Sequence, residues 1–289
     1  MMGPVAEMEK ENKRTLPDQI GWLLSALVES AGLVAEIEGE DVEIKGIFDN
    51  SQKVQRKGLF VAIKGTNVDS HVFISDAVER GAKVIVVEQP CAAYPGVTLV
   101  RVKDSRLAIA LLSHAFYGHP SRDLSLIGIT GTNGKTTSSF LLERILSEAG
   151  MSPGLMGTIE YWTGLSRKKA FNTTPSPLEI SGFLSEMVTA GCKSAVMEVS
   201  SHSIEQQRIA GLNFSLGLFT NISQDHLDFH GDMTQYIKAK QKFFSKFLAA
   251  NPKGIGVFNA QDTFGRRFAE EFTGTQFTYS FDRKALVSG

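Results

Sequence analysis

The sequence has only two cysteines in 289 residues, Cys91 and Cys192, far apart and without the spacing of a metal site. That excludes a disulfide framework and suits a reducing compartment. No apolar run nears the roughly eighteen residues of a membrane span. The first sixteen residues carry Glu7, Glu9, Lys10, Glu11, Lys13 and Arg14 and lack the apolar core of a signal peptide. A flexible tail is expected there, and a cytoplasmic protein without a membrane partner. Charge of one sign is missing too: 30 Lys and Arg oppose 31 Asp and Glu, so no basic field awaits nucleic acid. There is no internal repeat and no low-complexity stretch. What is present is globular: 42% apolar and 21% charged residues.

The periodicities predict an α/β protein in two units. Pro17 opens a helical pattern through Ile20, Leu23, Leu24, Leu27 and Val28 that ends near Gly32. Strands are expected at Val42–Phe48 and Leu59–Ile63, a helix at Phe73–Arg80, and strands at Lys83–Val87 and Leu99–Val102. A helix from Ser105 to Tyr117 bridges to the turn-rich Gly118-His-Pro-Ser. Beyond it the βαβ rhythm sharpens, with strands at Ser125–Thr130, Ser194–Val199, Leu216–Ile222 and Ile255–Asn259. Helices lie between them, at Ser139–Ala149, Pro177–Ala190 and about Asp232 to Ala250. The expected division is a tail over 1–16, a first unit over 17–103 and a second over 104–289. The second is a P-loop-type unit with a mainly parallel sheet flanked by helices.

Between the Ser125–Thr130 strand and the next helix runs Gly131-Thr132-Asn133-Gly134-Lys135-Thr136-Thr137. Glycines let backbone N–H groups approach phosphate oxygens, and a helix N-terminus favours an anion. Lys135 would reach the terminal phosphates of a nucleoside triphosphate, ATP being expected, and the Thr136 hydroxyl would meet Mg²⁺. Ile129 stands where the common pattern has its first glycine, so this is the shorter variant Gly-x-x-Gly-Lys-Thr.

Glu198 closes the Ser194–Val199 strand beside that loop, where α/β nucleotide enzymes hold a metal. Asp225-His-Leu-Asp-Phe-His-Gly231 follows the next strand; His226 and His230 are four apart but lack the Glu of a zinc helix. Lys240 sits within an apolar stripe of Tyr236, Ile237, Phe243 and Phe244. It either snorkels to water or is desolvated, and then its neutral amine can combine with CO₂ as a carbamate.

Four stretches together resemble the Mur ligases, which build the peptide stem of bacterial cell wall. They are Thr130-Gly-Thr-Asn-Gly-Lys-Thr-Thr137, Asn172-Thr-Thr-Pro175, Met197-Glu-Val-Ser-Ser-His202 and Thr220-Asn-Ile-Ser-Gln-Asp-His-Leu-Asp-Phe-His-Gly-Asp232. Ser51-Gln-Lys-Val and Gly58-Leu-Phe-Val-Ala-Ile-Lys-Gly65 extend the likeness from about residue 40 to the end. The resemblance implies an ATP-dependent ligase of peptidoglycan synthesis, hence of cell shape and division. Its substrates would be a UDP-N-acetylmuramoyl-dipeptide and a free amino acid, the third of the stem, meso-diaminopimelate by family frequency. Ser51, Thr66 and Asn67 would hold the UDP part in the first unit. Asn172, Thr173, Thr174, Ser200, Gln206 and Arg208 would meet the muramoyl dipeptide, and Asn259 the adenine. Thr136, Glu198, His226 and a carbamylated Lys240 would hold Mg²⁺, with Lys135, Lys240 and His226 catalytic. A monomer is expected.

Asn50-Ser51-Gln52 departs from the family's Asp-Ser-Arg, and Gln261 from an aspartate of its adenine motif. The family continues into a C-terminal domain that binds the incoming amino acid. On that basis the chain is expected to be an incomplete fragment, inactive alone. Folylpolyglutamate synthase shares the short loop but lacks the UDP-binding unit that Ser51–Gly65 implies. A GTP switch would carry Asn-Lys-x-Asp, which is absent, whereas a non-catalytic nucleotide-binding fragment stays open beside the ligase.

Overall fold

A computed structural model describes residues 21–65 and 68–281. The expected tail, Pro17, Ile20, Thr66 and Asn67 lie outside the described residues. The first unit runs Trp22–Leu23 (β1), Leu24–Ser30 (α1), Ala35–Glu38 (β2), Glu43–Ile44 (β3), Gly46–Phe48 (β4), Gly58–Val61 (β5), Ile74–Glu79 (α2), Ala82–Val87 (β6), Thr98–Val102 (β7) and Ser105–Phe116 (α3). Its five-stranded sheet has the order β2-β7-β6-β5-β4, parallel except for the β2 edge. Strand β5 is buried throughout and β6 at all positions but Lys83, with Leu59–Val61 and Val84–Val87 apolar on both faces, as a covered parallel sheet requires. Helix α1 begins at Leu24, so the pattern expected from Pro17 is interrupted by β1, and Leu23 is exposed.

The second unit follows as Ser125–Thr130 (β8), Lys135–Glu148 (α4), Pro153–Met156 (β9), Glu160–Trp162 (β10), Arg167–Lys169 (β11), Pro177–Thr189 (α5), Ser194–Glu198 (β12), Ser201–Glu205 (α6), Phe214–Phe219 (β13), Leu227–His230 (α7), Met233–Lys242 (α8), Ile255–Asn259 (β14), Thr263–Glu271 (α9) and Thr275–Tyr279 (β15). Its eight-stranded sheet has the order β11-β10-β9-β12-β8-β13-β14-β15. Along the sheet from β9 through β12, β8, β13 and β14 to β15 every pairing is parallel, whereas β9–β10 and β10–β11 are antiparallel. An α/β protein with a mainly parallel, helix-flanked second sheet is thus what the sequence folds into. The single helix expected from Asp232 to Ala250 changes at Phe243, where a π-helical turn runs to Leu248. That turn buries Phe243, Phe244, Phe247 and Leu248 against the sheet.

Helix α3, which starts beside the division expected at residue 104, packs against both units. Ala108, Ile109, Leu112, Ala115 and Phe116 lie in the first core, whereas Ala110 and Leu107 face the second. The helix is packed between the two units, with most of its buried apolar residues in the first core. His114, only 1% exposed, pairs through Nε2 with the Ser121 hydroxyl at 2.7 Å. The same Ser121 Oγ accepts the Asn213 N–H at 2.9 Å, which ties α3 to the segment leading into β13.

Burial, followed by the charges of His119 and Arg122, lowers the His114 pKa from 6.5 to about 3. The folded protein keeps His114 neutral while the unfolded chain protonates it in the window between those values. Its contribution to stability is therefore lost as pH falls through 6.5 toward 3, by at most about 1.4 kcal/mol per pH unit. Urea unfolding of His114→Asn against the parent across this window should show a shallower acid slope in the variant. Identical slopes would contradict a buried neutral imidazole.

Candidate functional site

The phosphate loop is shaped by contacts that only glycine permits. Gly131 has φ +150°, and a Cβ there would lie 1.9 Å from Thr220 Oγ1. Gly134 takes φ +84° as the residue that starts α4, with open space around it. Helix α4 begins at Lys135, four residues earlier than expected, so its free N–H groups and positive dipole end face the loop. The loop is pinned to the segment after β13: Thr132 N–H donates to Asn221 O, Asn133 N–H to Asn221 Oδ1, and Thr220 Oγ1 to Asn133 O. Thr137 is exposed on the first turn of α4.

Lys135 Nζ folds back onto the carbonyls of Gly131 and Thr132, both at 2.8 Å. Lys240 Nζ reaches the same Gly131 carbonyl at 2.8 Å and lies 4.6 Å from the centre of the Tyr236 ring. Lys240 is 1% exposed, so the snorkelling alternative does not describe it. Burial, then the charge of Lys135, pushes its pKa well below the ordinary lysine range, and burial also lowers that of Lys135. Two ammonium groups on one carbonyl disfavour each other, which shifts the more buried Lys240 toward its neutral form.

Glu198, fully buried at the carboxyl end of β12, accepts from the Thr136 hydroxyl at 3.0 Å, from both N–H and hydroxyl of Thr158 at 3.0 Å, and from Ser139 at 3.4 Å. Among the described residues no cation forms an ion pair with it. A buried carboxylate surrounded by neutral donors, with a threonine hydroxyl beside it, fits a hard divalent cation such as Mg²⁺. His226 is placed differently. It has a left-handed backbone, φ 51°, lies beside Asp225 at 3.4 Å, and its ring packs edge-on to His202 at 4.8 Å. Among the described residues no three His, Cys, Asp or Glu side chains converge as a metal cage. Thr136 meets Glu198 directly, whereas Lys240 and His226 each touch the loop or its neighbours through other groups. Asn259, at the end of β14, donates to Thr220 O at 2.8 Å.

The expected dipeptide residues gather where the two units meet. Ser176 caps α5 with Glu179 in a reciprocal box and sets the Asn172–Thr174 segment against β12. Thr174 Oγ1 donates to Glu198 O at 2.8 Å and to Ser200 Oγ, and Thr173 Oγ1 accepts from Thr158. Arg208 donates to Thr174 O at 2.9 Å and to Gln206 Oε1 through two nitrogens. Asn172, Gln206 and Arg208 line a cavity of about 220 Å³ together with Asp49, Arg106, Ser176 and Pro177. Ser51 is apart from them, in a cleft of about 1420 Å³ that also runs between the units.

Residues 129–288 match the Mur ligase middle domain, and residues 43–117 match the Mur ligase family catalytic domain. The chain belongs to the Mur ligase family. This Mur ligase chain is 38% identical over 249 residues to a UDP-N-acetylmuramoyl-L-alanyl-D-glutamate–2,6-diaminopimelate ligase of Geobacter metallireducens, covering 85% of this chain and 49% of the relative. The enzyme of the same name from Aquifex aeolicus is 43% identical over 236 residues, covering 82% of this chain and 48% of its own. The chain thus spans about half the length of the curated relatives it matches. A solved structure of a ligase with that name superposes with TM-score 0.74 at 23% identity, over 92% of this chain and 54% of the other, and so shares the fold.

The sequence reading missed Thr158, Ser139 and Arg106. Thr158 follows β9, a strand too short and proline-led to be read, although Gly157-Thr158 at its end marks a loop. Ser139 and Arg106 sit in helices that were legible, but the residues packed against them were not. In this Mur ligase the loop glycines should differ in cost. Gly131→Ala, which combines backbone strain with a clash, should lose about 2–3 kcal/mol in chemical denaturation, and Gly134→Ala about 1 kcal/mol. Equal losses would mean that the Thr220 contact does not constrain the loop.

Proposed function

We propose that this chain supplies the ATP-binding and UDP-substrate-binding parts of a ligase that adds meso-diaminopimelate to UDP-N-acetylmuramoyl-L-alanyl-D-glutamate. The observation that carries this reading is the short hydrogen-bonded path between two sites. The Arg208 cavity connects through Thr174 to Glu198 O, and the Glu198 carboxylate connects to Thr136 at the head of α4. An acceptor carboxylate held near that path and a triphosphate on the loop would meet at the end of β12. The relatives' shared name supports the substrate and the amino acid.

In the proposed reaction the D-glutamate γ-carboxylate attacks the γ-phosphorus of ATP, forming a C–O–P bond as the bond to ADP breaks. The amine of the amino acid then displaces phosphate from the acyl carbon and forms the amide. Lys135 and the N–H groups of α4 hold the phosphates in line and stabilise the charge that develops on them. Thr136 and Glu198 would hold Mg²⁺, which supplies neutralisation of phosphate charge when bound. Lys240, as a buried neutral amine, would add to CO₂ with loss of a proton and become a carbamate, a hard oxygen ligand. His226 would complete this group after its loop adjusts, and Asn259 would lie at the adenine. Ser51, in the large cleft, would hold the UDP part, and Thr66 and Asn67 are proposed for the same role from the resemblance. A cytoplasmic monomer is part of the same reading.

Titration with a non-hydrolysable ATP analogue and Mg²⁺ should give saturable binding that Lys135→Ala weakens by about 100-fold or more. Wild-type chain that fails to bind would overturn the assignment. Carbon-13 NMR in labelled bicarbonate should show one carbamate signal that Lys240→Ala removes; its persistence would place the carbamate elsewhere.

A further inference from the structure

Arg106 lies on the first turn of α3, after the capping residue Asp104, and no sequence motif marks it. It lines the 220 Å³ cavity opposite residues of the second unit. Its Nη2 donates to the carbonyl of Lys64 at 3.1 Å, and among the described residues no carboxylate is within ion-pair distance of it, although its charge is felt by Glu88. Arg208 is in the same position. Its donors go to an amide oxygen and a backbone carbonyl, all neutral, and the charge of Arg106 adds to burial in lowering its pKa. Asp49 also lines the cavity, but burial raises its pKa and it pairs with neither arginine. Two guanidinium groups from two units therefore line one small space with no carboxylate in contact with either among the described residues.

The ligand chemistry follows from size and geometry. A volume of about 220 Å³ is below the roughly 300–1,000 Å³ of sites for drug-sized ligands, so the cavity suits one amino-acid-sized group. The neighbouring cleft of about 1420 Å³ shares Asp49 and Ser176 as walls and has room for a nucleotide-sugar. A planar fork matches a carboxylate through two parallel N–H···O bonds.

We infer that Arg106 is a substrate-binding residue which, with Arg208, clamps the α-carboxylate of the acceptor's terminal glutamate across the junction of the two units. This rests on the proposed function above. The α-carboxylate is the better fit because two guanidinium partners would hold the charge of the γ-carboxylate and blunt its attack on phosphorus. The clamp also gives the acceptor a contact to both units, so the two must be seated on each other for the dipeptide to bind tightly.

Calorimetric titration of this chain with three ligands separates the outcomes: UDP-N-acetylmuramoyl-L-alanyl-D-glutamate, the same molecule with its α-carboxylate as an amide, and UDP. Arg106→Gln should weaken the acid by about 10- to 100-fold and leave the amide and UDP unchanged, with Arg106→Lys in between. A loss shared by all three ligands would make Arg106 a support of the Lys64 loop or a diphosphate ligand and overturn the inference. An unchanged Arg106→Gln beside an Arg208→Gln that loses the acid would also overturn it, while leaving the proposed function standing. Wild-type chain that binds the acid no better than UDP would remove the proposed function itself.

Discussion

Parallel pairing of β12, β8 and β13 is the constraint on which the rest of the second unit depends. In register, Ile129 lies beside Glu198 on one side and Leu218 on the other, so three strands end at one level. The chain leaving β8 becomes the phosphate loop, the end of β12 presents the carboxylate, and the chain leaving β13 pins the loop through Thr220 and Asn221. Parallel strands place all carboxyl ends on the same edge, which is why an α/β sheet concentrates its chemistry there. A one-residue slip of β12 would turn Glu198 to the opposite face of the sheet and leave Thr136 without its partner.

Charge at this edge is balanced through burial. Glu198 is enclosed by hydroxyls and an amide, and two lysines share one carbonyl a few residues away. Neither arrangement is a self-contained ion pair. The buried carboxylate contacts only neutral donors, and the crowded lysines feel Glu198 and Asp225 at a distance without an ion pair among the described residues. Phosphates and a divalent cation complement both at once, so the site is organised around ligands that carry opposite charges into a largely dry place.

Helix α3 decides how the two units meet. Its apolar majority closes the first core, its His114–Ser121–Asn213 connection fixes it to the second unit, and Arg106 on its first turn faces Arg208. The same helix therefore transmits the seating of the units to the small cavity. A substrate that fills both the large cleft and the small cavity reads that seating directly.

Much of this was legible in the chain because it rests on local physics. Glycines at 131 and 134 followed by Lys135 and Thr136 announce a phosphate loop, and a short apolar run ending in Glu198 announces a strand with a functional carboxyl end. Apolar neighbours at helical spacing around Lys240 announced a lysine in a core stripe, but only packing removed its route to water. Strands β2, β9, β10, β11 and β15 escaped notice because three to five residues carry too little periodicity, and their pairing partners supply the stability. The place of α3 was hidden for a similar reason: one helix face can serve either of two cores, and sequence periodicity names the face without naming its partner. Thr158 and Arg106 meet Glu198 and Arg208 across 40 and 102 residues of chain, a distance over which no spacing rule operates. The sequence by itself determined the loop, the strand-end carboxylate and the α/β class, since each follows from residues near one another. Only the tertiary structure decided which side chains share the buried edge and the inter-unit cavity, because desolvation and charge proximity exist only once distant segments have packed.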